Sequence, residues 1–238
     1  MALLSAGDIL QVWETASSQE PVDRALTILA AASSGKSRDE LARLPIGDRD
    51  ARLLDLREGT FGRRAIGMVA CVHCAERVEF ALDVAALRVA RPATAEGEIN
   101  TGDWAVRFRA LNSDDLNAAT RDADPRRSLA DRCILEARRS GAPVSVPDLP
   151  ADALARLAAA MAEHDPQAEV VLEYVCSACG QGGQTLFDIA AFLWEEIRAQ
   201  AQRLLMEVAA LARAYGWREA DILEMSAARR RAYLELAP

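Results

Sequence analysis

Apolar residues recur at intervals of three and four positions near the C-terminus, over Phe187–Tyr215. This spacing puts them on one side of an α-helix, which turns once in about 3.6 residues. Asp188 suits the first turn of such a helix, and Gly216 suits its C-cap. The pattern predicts one amphipathic helix of about 28 residues, roughly 42 Å long. Two short helices are predicted after it, over Asp221–Met225 and Ser226–Leu236.

The N-terminal third shows shorter helical patterns that proline and glycine interrupt. The predicted helices cover Asp8–Thr15, Val22–Ala32, a segment capped by Ser37 with Glu40 three residues later, and Asp48–Glu58 with Asp48 as its cap. Helical patterns return over Asn112–Asp165, in which the signals are a cap at Asn112 or Ser113, a start at Pro125, and a helix over Ala151–Glu163. The middle of the chain is therefore predicted to be a helical insertion.

Two segments alternate between apolar and polar residues beside a close pair of cysteines. Around the first pair the alternating residues are Ile66, Met68, Ala70, Val78, Phe80 and Leu82; before the second pair they are Val170, Leu172 and Tyr174. Alternation on both sides of a tight turn predicts a β-hairpin, with each cysteine pair at a hairpin tip. A further strand is predicted over Trp104–Phe108, and a polar loop over Arg91–Gly102.

Four of the five cysteines form two C-x-x-C pairs, Cys71 with Cys74 and Cys176 with Cys179. Two cysteines at this spacing on a hairpin tip can point at one ion. Two facing tips then supply the tetrahedral sulfur set that zinc prefers, with Zn–S distances of about 2.3 Å. Four thiolates leave no position for water, so the site is expected to be structural and not catalytic. The sequence predicts one structural zinc ion.

Other roles of these cysteines remain open: packing in a core, a redox pair, or an iron–sulfur cluster. A thioredoxin-like redox pair should open a helix after a strand, and neither pair does so. The hairpin pattern favours zinc over a cluster. His73 is expected to face solvent or to form a hydrogen bond, because four cysteines already complete the set. Cys133 lies in a helical apolar pattern and is expected to pack in the core.

These elements predict an α+β, mostly helical fold. Split zinc-ribbon-like β-hairpins are flanked by helices, and a long amphipathic helix lies near the C-terminus. The predicted segments are an N-terminal helical region (1–64), the first cysteine hairpin and strands (65–110), the helical insertion (111–167), the second cysteine hairpin (168–187), and the long C-terminal helix with short helices (188–238). We expect one or two compact domains.

The net charge of the chain disfavours some classes of partner. The 238 residues carry a formal net charge of -8, and the pI is about 5.0. An acidic surface repels phosphate groups, so neither nucleic acid nor an anionic membrane is an expected partner. No apolar run approaches the roughly 20 residues that span a bilayer. The N-terminus lacks the basic start of a signal peptide, so a cytoplasmic location is expected.

No set of residues has the pattern of a catalytic site. Ala30–Ser37 resembles a phosphate-binding loop that lacks its first glycine, but a predicted helix precedes it where a strand is needed. We interpret it as a helix terminator. The chain has only two histidines and no G-x-S-x-G elbow. The sequence therefore predicts a protein that is not an enzyme and that has no small-molecule substrate.

Several stretches together are similar to a family encoded among the baseplate genes of contractile-tailed phages and related contractile injection systems. They are Asp23–Leu26, Leu44–Asp50, Leu53–Glu58, Val106–Arg109, Cys176–Cys179, Phe192–Ile197, Ala214–Trp217 and Arg229–Leu234. Members of this family are baseplate hub subunits or hub assembly chaperones. Its cysteine pairs often have proline after the first cysteine, where this chain has Val72 and Ser177.

The resemblance implies a role in building or completing a baseplate hub, with other baseplate or tail proteins as partners. Trp194, Trp217, Arg230 and Tyr233 are the candidate interface residues. Of these, Trp217 and Tyr233 are expected to be exposed anchors, because aromatic residues are frequent at interface hot spots. Two other functions remain open. A zinc-ribbon module that binds nucleic acid would shift DNA mobility, and a C-x-x-C redox protein would exchange disulfides.

Overall fold

The computed structural model describes residues 2–90 and 96–237. Within them the helices are α1 (Ala6–Ala16), α2 (Pro21–Ala32), α3 (Arg38–Ala42), α4 (Ile46–Phe61), α5 (Ser113–Ala119), α6 (Pro125–Cys133), α7 (Ala151–His164), α8 (Ile189–Tyr215), α9 (Glu219–Leu223) and α10 (Ala227–Leu236). The strands are β1 (Arg64–Ala70), β2 (Arg77–Asp83), β3 (Glu96–Thr101), β4 (Trp104–Arg109), β5 (Ile134–Arg139), β6 (Ala142–Pro143), β7 (Val171–Val175) and β8 (Gly182–Leu186).

Helices dominate, and every strand pairing is antiparallel, so the expected α+β, mostly helical fold is confirmed. The chain divides into two compact units. The first unit consists of Met1–Lys36 and Ile189–Pro238, and the second consists of Ser37–Asp188. Among the helices that the structure describes, none combines the length and apolar character that crossing a bilayer requires.

The first unit is built on the long helix α8, which confirms the prediction from the apolar spacing. Helices α1, α2, α9 and α10 all pack on α8, and α9 and α10 contact it near Val208 and Leu211. The buried positions of α8 recur at three and four residues: Leu193, Ile197, Ala201, Leu204, Val208 and Leu211. Gly216 ends the helix at φ +71°, and its N–H donates to the carbonyl oxygen of Ala212. This is the expected αL cap.

In its described residues, the second unit contains three antiparallel sheets. β1 pairs with β2, β7 pairs with β8, and β3–β4–β5–β6 form a meander. Helix α7 packs on this meander, and the core between them contains Val106 and Phe108 from β4, Ala137 from β5, and Leu157 from α7. The two cysteine hairpins predicted from alternation are therefore confirmed as β1/β2 and β7/β8.

The hairpins β1/β2, β3/β4 and β7/β8 each place an aromatic residue directly opposite a glycine. The pairs are Phe80 with Gly67, Phe108 with Gly97, and Tyr174 with Gly183. A Cβ on any of these glycines would lie 2.5–2.7 Å from the aromatic ring. The absent side chain lets the ring lie across the neighbouring strand, which fixes register and protects the backbone.

Three local predictions are wrong. The region Arg91–Gly102 was expected to be a loop, but Glu96–Thr101 forms β3; residues 91–95 lie outside the described residues. The predicted helical insertion contains β5, because pairing with β4 decides the conformation of this short segment. Asp48 lies in the first turn of α4, and Pro45 occupies the N-cap position.

Candidate metal centre

The two cysteine pairs lie on turns of the same geometry. At the first tip, the N–H of Cys71 donates to the carbonyl oxygen of Glu76, and the N–H of Ala75 donates to that of Cys71. At the second tip, Cys176 and Gly180 take the corresponding positions, with Gln181 as the acceptor. The residue after each second cysteine has a positive φ, +60° at Ala75 and +71° at Gly180. Each turn thus points both of its thiols to one side.

The structure brings together the four cysteines of the predicted metal set. The Sγ atoms of Cys71, Cys74, Cys176 and Cys179 all lie within 4.8 Å of one another. The Cys71–Cys179 and Cys74–Cys176 distances are both 3.7 Å. Sulfurs that surround one Zn²⁺ at about 2.3 Å are separated by about 3.8 Å in a regular tetrahedron. A disulfide needs about 2.05 Å, and all four thiols are free.

The centre is apolar on one side and open on the other. Cys71 and Cys176 are buried, in a cluster with Val78 and Tyr174. Cys74 and Cys179 lie nearer to solvent. A partly buried sulfur site of this kind excludes bulk water from two of its four donors, which strengthens electrostatic binding of a cation.

Two hydrogen bonds connect the hairpin tips without a metal. The N–H of Val72 donates to the hydroxyl of Tyr174 at 3.2 Å. The Nε2 of His73 lies 3.2 Å from the carbonyl oxygen of Gly182, to which it donates when protonated. His73 is exposed and forms a hydrogen bond, as its sequence context led us to expect. Hydrogen bonds made by residues next to the metal ligands orient the ligand side chains.

The thiols differ in their ease of ionisation. The backbone N–H of His73 donates to Cys71 Sγ at 3.4 Å, and it lowers the pKa of the Cys71 thiol to about 6. At Cys74 the N–H of Glu76 acts in the same direction, but burial and the neighbouring thiols raise the pKa to about 12. One thiolate therefore disfavours ionisation of the neighbouring thiols. A bound cation would offset this repulsion between negative charges.

The donor set fits a tetrahedral cation such as Zn²⁺, and Cys71, Cys74, Cys176 and Cys179 are the residues that would hold it. When bound, the ion would join two segments that are distant in the chain. The lowered pKa of Cys71 is also compatible with a redox pair. What separates the two interpretations is that all four thiols converge on one point, whereas a redox pair needs two.

The fifth cysteine lies elsewhere. Cys133 is fully buried at the end of α6, and its Sγ lies 3.8 Å from the Asp115 carboxylate. Burial raises the pKa of its thiol to about 12. This confirms the expectation that Cys133 packs in a core.

The four candidate interface residues lie in the first unit. Trp194 is buried, and the guanidinium of Arg24 stacks 4.6 Å from its ring centroid. Arg230 is also buried, and its Nε donates to Glu207 at 2.7 Å. Trp217 and Tyr233 are half-buried and contact each other, with 4.8 Å between ring centroids. All four thus make contacts inside this unit, and their interface role stays a prediction.

Sequence reasoning missed the residues that connect the hairpin tips. Tyr174 was assigned only to strand alternation, and the donor bond to its hydroxyl was not foreseen. A signal was present, since Tyr174 stands two residues before Cys176 and glycines follow the second pair.

A protein-family model described as T4 bacteriophage base plate protein matches residues 5–194. The matched region covers most of the chain and includes both cysteine pairs. It ends within α8, so α9 and α10 lie outside it. No curated protein and no solved structure matches the chain.

Proposed function

The chain belongs to the T4 bacteriophage base plate protein family, and from this membership we propose that it is a non-enzymatic structural or assembly protein of a contractile tail-like baseplate. It acts as a hub component or as a hub assembly chaperone. Its partners are other baseplate or tail proteins. It resides in the cytoplasm of the cell that builds the particle, and a hub component would also remain in the finished particle.

The observation that carries this proposal is the extent of the family match, which spans both cysteine hairpins, the whole second unit and the N-terminal segment of the first unit. The architecture supports the same role. A helical protein with an acidic surface and a cross-linked pair of hairpins offers rigid surfaces for protein contacts. The net charge of -8 disfavours the alternative of a nucleic-acid-binding module.

The structural component of the proposal is one zinc ion held by Cys71, Cys74, Cys176 and Cys179. Its support is the convergence of the four sulfurs, which all lie within 4.8 Å of one another, with two pairs at 3.7 Å. Four protein ligands fill the coordination sphere and leave no position for a reacting water, which supports a structural role for the ion. Zinc would stabilise the second unit by linking the hairpins β1/β2 and β7/β8.

The role is tested in the particle whose genome encodes the chain. Deleting the gene should abolish sheathed particles with complete baseplates, as counted by electron microscopy, and the wild-type gene should restore them. Quantitative mass spectrometry of finished particles then separates the two roles. A hub component is present at a fixed ratio to the tail proteins, and a chaperone is absent. Normal particle numbers without the gene would refute the proposal.

The metal is tested on protein purified without chelator, by elemental mass spectrometry. One zinc per chain is expected, and none after all four cysteines are replaced by serine. Protein with freely titratable thiols and no metal would remove zinc from the proposal and leave the family membership unaffected.

A further inference from the structure

A large apolar groove lies in the second unit, away from the metal centre. Its volume is about 960 Å³, and it is bordered by α6, α7, the start of α4 and the end of β8. Pockets for single small ligands span roughly 300–1,000 Å³, so this groove is at the upper limit of that range. Its size suits several side chains of a partner.

One wall of the groove is a row of alanines on α7. Ala151, Ala155, Ala158 and Ala162 all line it, and the first three are exposed. Their spacing of three and four residues puts them on one side of the helix. Small side chains let another helix approach closely, since the distance between helix axes depends on the residues at the contact. Leu154 and Met161 flank this row and supply larger apolar surface.

The apolar surface continues onto the second hairpin. Leu186 of β8 lines the groove and is 61 % exposed. Val171 of β7 lies directly opposite Leu186 and is 53 % exposed. Residues directly opposite on antiparallel strands share one face. The groove and this pair form one apolar surface, of the kind that marks an interaction site.

The charges at the groove are biased towards acid. Its lining includes five acidic residues, Asp50, Asp124, Asp165, Glu169 and Asp188, and three arginines, Arg49, Arg126 and Arg127. Two of these arginines bond within the chain, as do Asp50, Asp124 and Asp165 among the acidic residues. Arg49 donates to Asp50 at 2.7 Å, and Arg127 donates to the carbonyl oxygens of Val146 and Pro147.

Asp50 lies within the electrostatic influence of two other acidic lining residues, Asp165 and Asp188. Its pKa is raised by burial and further by the charges of Asp188 and Asp165, while Arg49 acts in the opposite direction. The carboxylate of Asp165 also accepts the N–H of Gly47 at 2.8 Å. Asp50 and Asp165 are buried, so the carboxylates that a partner's cation would meet are those of the exposed Asp124, Glu169 and Asp188.

We propose that this groove is the docking site for a basic amphipathic helix of a partner protein. The apolar side of that helix would lie along the α7 alanines and Leu186. Its lysines or arginines would face the exposed acidic residues of the groove, Asp124, Glu169 and Asp188. Complementary charge fixes the orientation of a partner and speeds association. The proposal names a kind of partner for the assembly role above, but it concerns different residues from the metal centre.

The probe is a fluorescein-labelled helical peptide of about 14 residues, with leucines on one side and lysines on the other. A second peptide has glutamate in place of every lysine. Fluorescence anisotropy should show the lysine peptide binding the wild-type chain at least about tenfold more tightly than the glutamate peptide.

Two neighbouring alanines of α7 provide a matched pair of variants. Ala158 lines the groove, whereas Ala159 is exposed and outside the lining. Ala158→Arg should weaken binding of the lysine peptide by about tenfold, and Ala159→Arg should change it by less than about twofold. Both variants add the same charge. If Ala158→Arg lowers the melting temperature, Glu169→Lys in the lining and Glu163→Lys outside it replace the pair.

Three outcomes would overturn the proposal: neither peptide binds, the glutamate peptide binds as tightly as the lysine peptide, or both members of a variant pair weaken binding equally. None of these results changes metal content or particle assembly. Failure of the groove proposal is therefore distinguishable from failure of the proposed function.

Discussion

The backbone N–H of Val72 donates to the hydroxyl of Tyr174 at 3.2 Å, so a side chain of the second hairpin holds the tip of the first. A second contact, from His73 to the carbonyl oxygen of Gly182, joins the same two tips. The tips are thus connected by protein groups in addition to the proposed zinc ion. Alignment of ligands by such bonds increases metal affinity.

Tyr174→Phe should weaken the centre without abolishing it. The ring and its packing remain, but the Val72 N–H loses its acceptor. We expect a loss of about 1 kcal/mol in the free energy of unfolding and faster transfer of zinc to a competing chelator. Urea unfolding and a chromogenic chelator measure the two effects.

Tyr215→Phe is the control for this substitution, because its hydroxyl donates to the carbonyl oxygen of Tyr233 at 3.0 Å in the first unit. It should reduce stability similarly and leave zinc transfer unchanged. Equal zinc-transfer rates in Tyr174→Phe and the wild type would show that the Val72 contact does not support the centre.

The aromatic–glycine pairing predicts different tolerance at two adjacent glycines. A Cβ at Gly183 would lie 2.5 Å from the Tyr174 ring, whereas the nearest atom to a Cβ at Gly182 is 3.8 Å away. Gly183→Ala should therefore lower the free energy of unfolding by about 1–3 kcal/mol, and Gly182→Ala by much less. Chemical denaturation of both variants checks this, and equal effects would show that the ring moves aside freely.

The sequence was most informative where one local signal decided the structure. The apolar spacing of α8 and the alternation beside Cys71 and Cys176 each had one physical solution, and both appear in the structure. The sequence did not predict strand β5, because this short segment has little strand pattern of its own and its conformation depends on pairing with β4. Strand β3 has Ile99 as its one large apolar residue, so its alternation was hardly visible.

For the candidate site, too, local sequence signals were predictive and long-range contacts were not. The C-x-x-C spacing is local, and it identified the four cysteines that the structure brings together. The Tyr174 contact and the groove beside α7 depend on residues far apart in the chain. The burial of Arg230 against Glu207 likewise depends on tertiary packing and could not be predicted from the local sequence.

Replacing one of the cysteine ligands should lower the stability of the protein and make it independent of metal. Cys71→Ser and Cys176→Ser should each lower the melting temperature by roughly 10 °C or more, because structural zinc contributes folding free energy directly. The wild-type melting temperature should fall in chelator, and those of the two variants should not. Cys133→Ala is the control, since Cys133 is buried outside the cluster. It should keep one zinc per chain. Variants that melt like the wild type would refute the zinc cross-link.

The pH dependence of stability should report Asp50. Burial, together with the charges of Asp188 and Asp165, raises the pKa of its carboxyl above the ordinary 3.8, although Arg49 opposes this. The contribution of Asp50 to stability therefore falls as pH rises from 3.8 through its folded-state pKa, because its carboxyl binds the proton more tightly in the folded state. Asn does not titrate, so the stability of Asp50→Asn relative to the wild type should increase with pH across that window. Urea unfolding at a series of pH values measures this.

Asp83 provides a control of opposite sign. A hydrogen bond from Arg63 lowers the pKa of its carboxyl below 3.8. Its contribution to stability is present above the unfolded value and is lost as pH falls through the folded value. The stability of Asp83→Asn relative to the wild type should thus decrease as pH rises in that acid window. The same slope for both variants would mean that neither carboxyl titrates as its surroundings indicate.

Two adjacent leucines test the role of the buried side of α8. Leu204 is fully buried, whereas Leu205 is 38 % exposed on the same helix. Leu204→Asp puts a carboxylate among apolar side chains and should cost at least about 3 kcal/mol, whereas Leu205→Asp should stay within about 0.5 kcal/mol of the wild type. Soluble yield, circular dichroism and size-exclusion chromatography distinguish the variants. A soluble, monomeric Leu204→Asp protein with wild-type helicity would show that α8 does not hold the first unit together through this position.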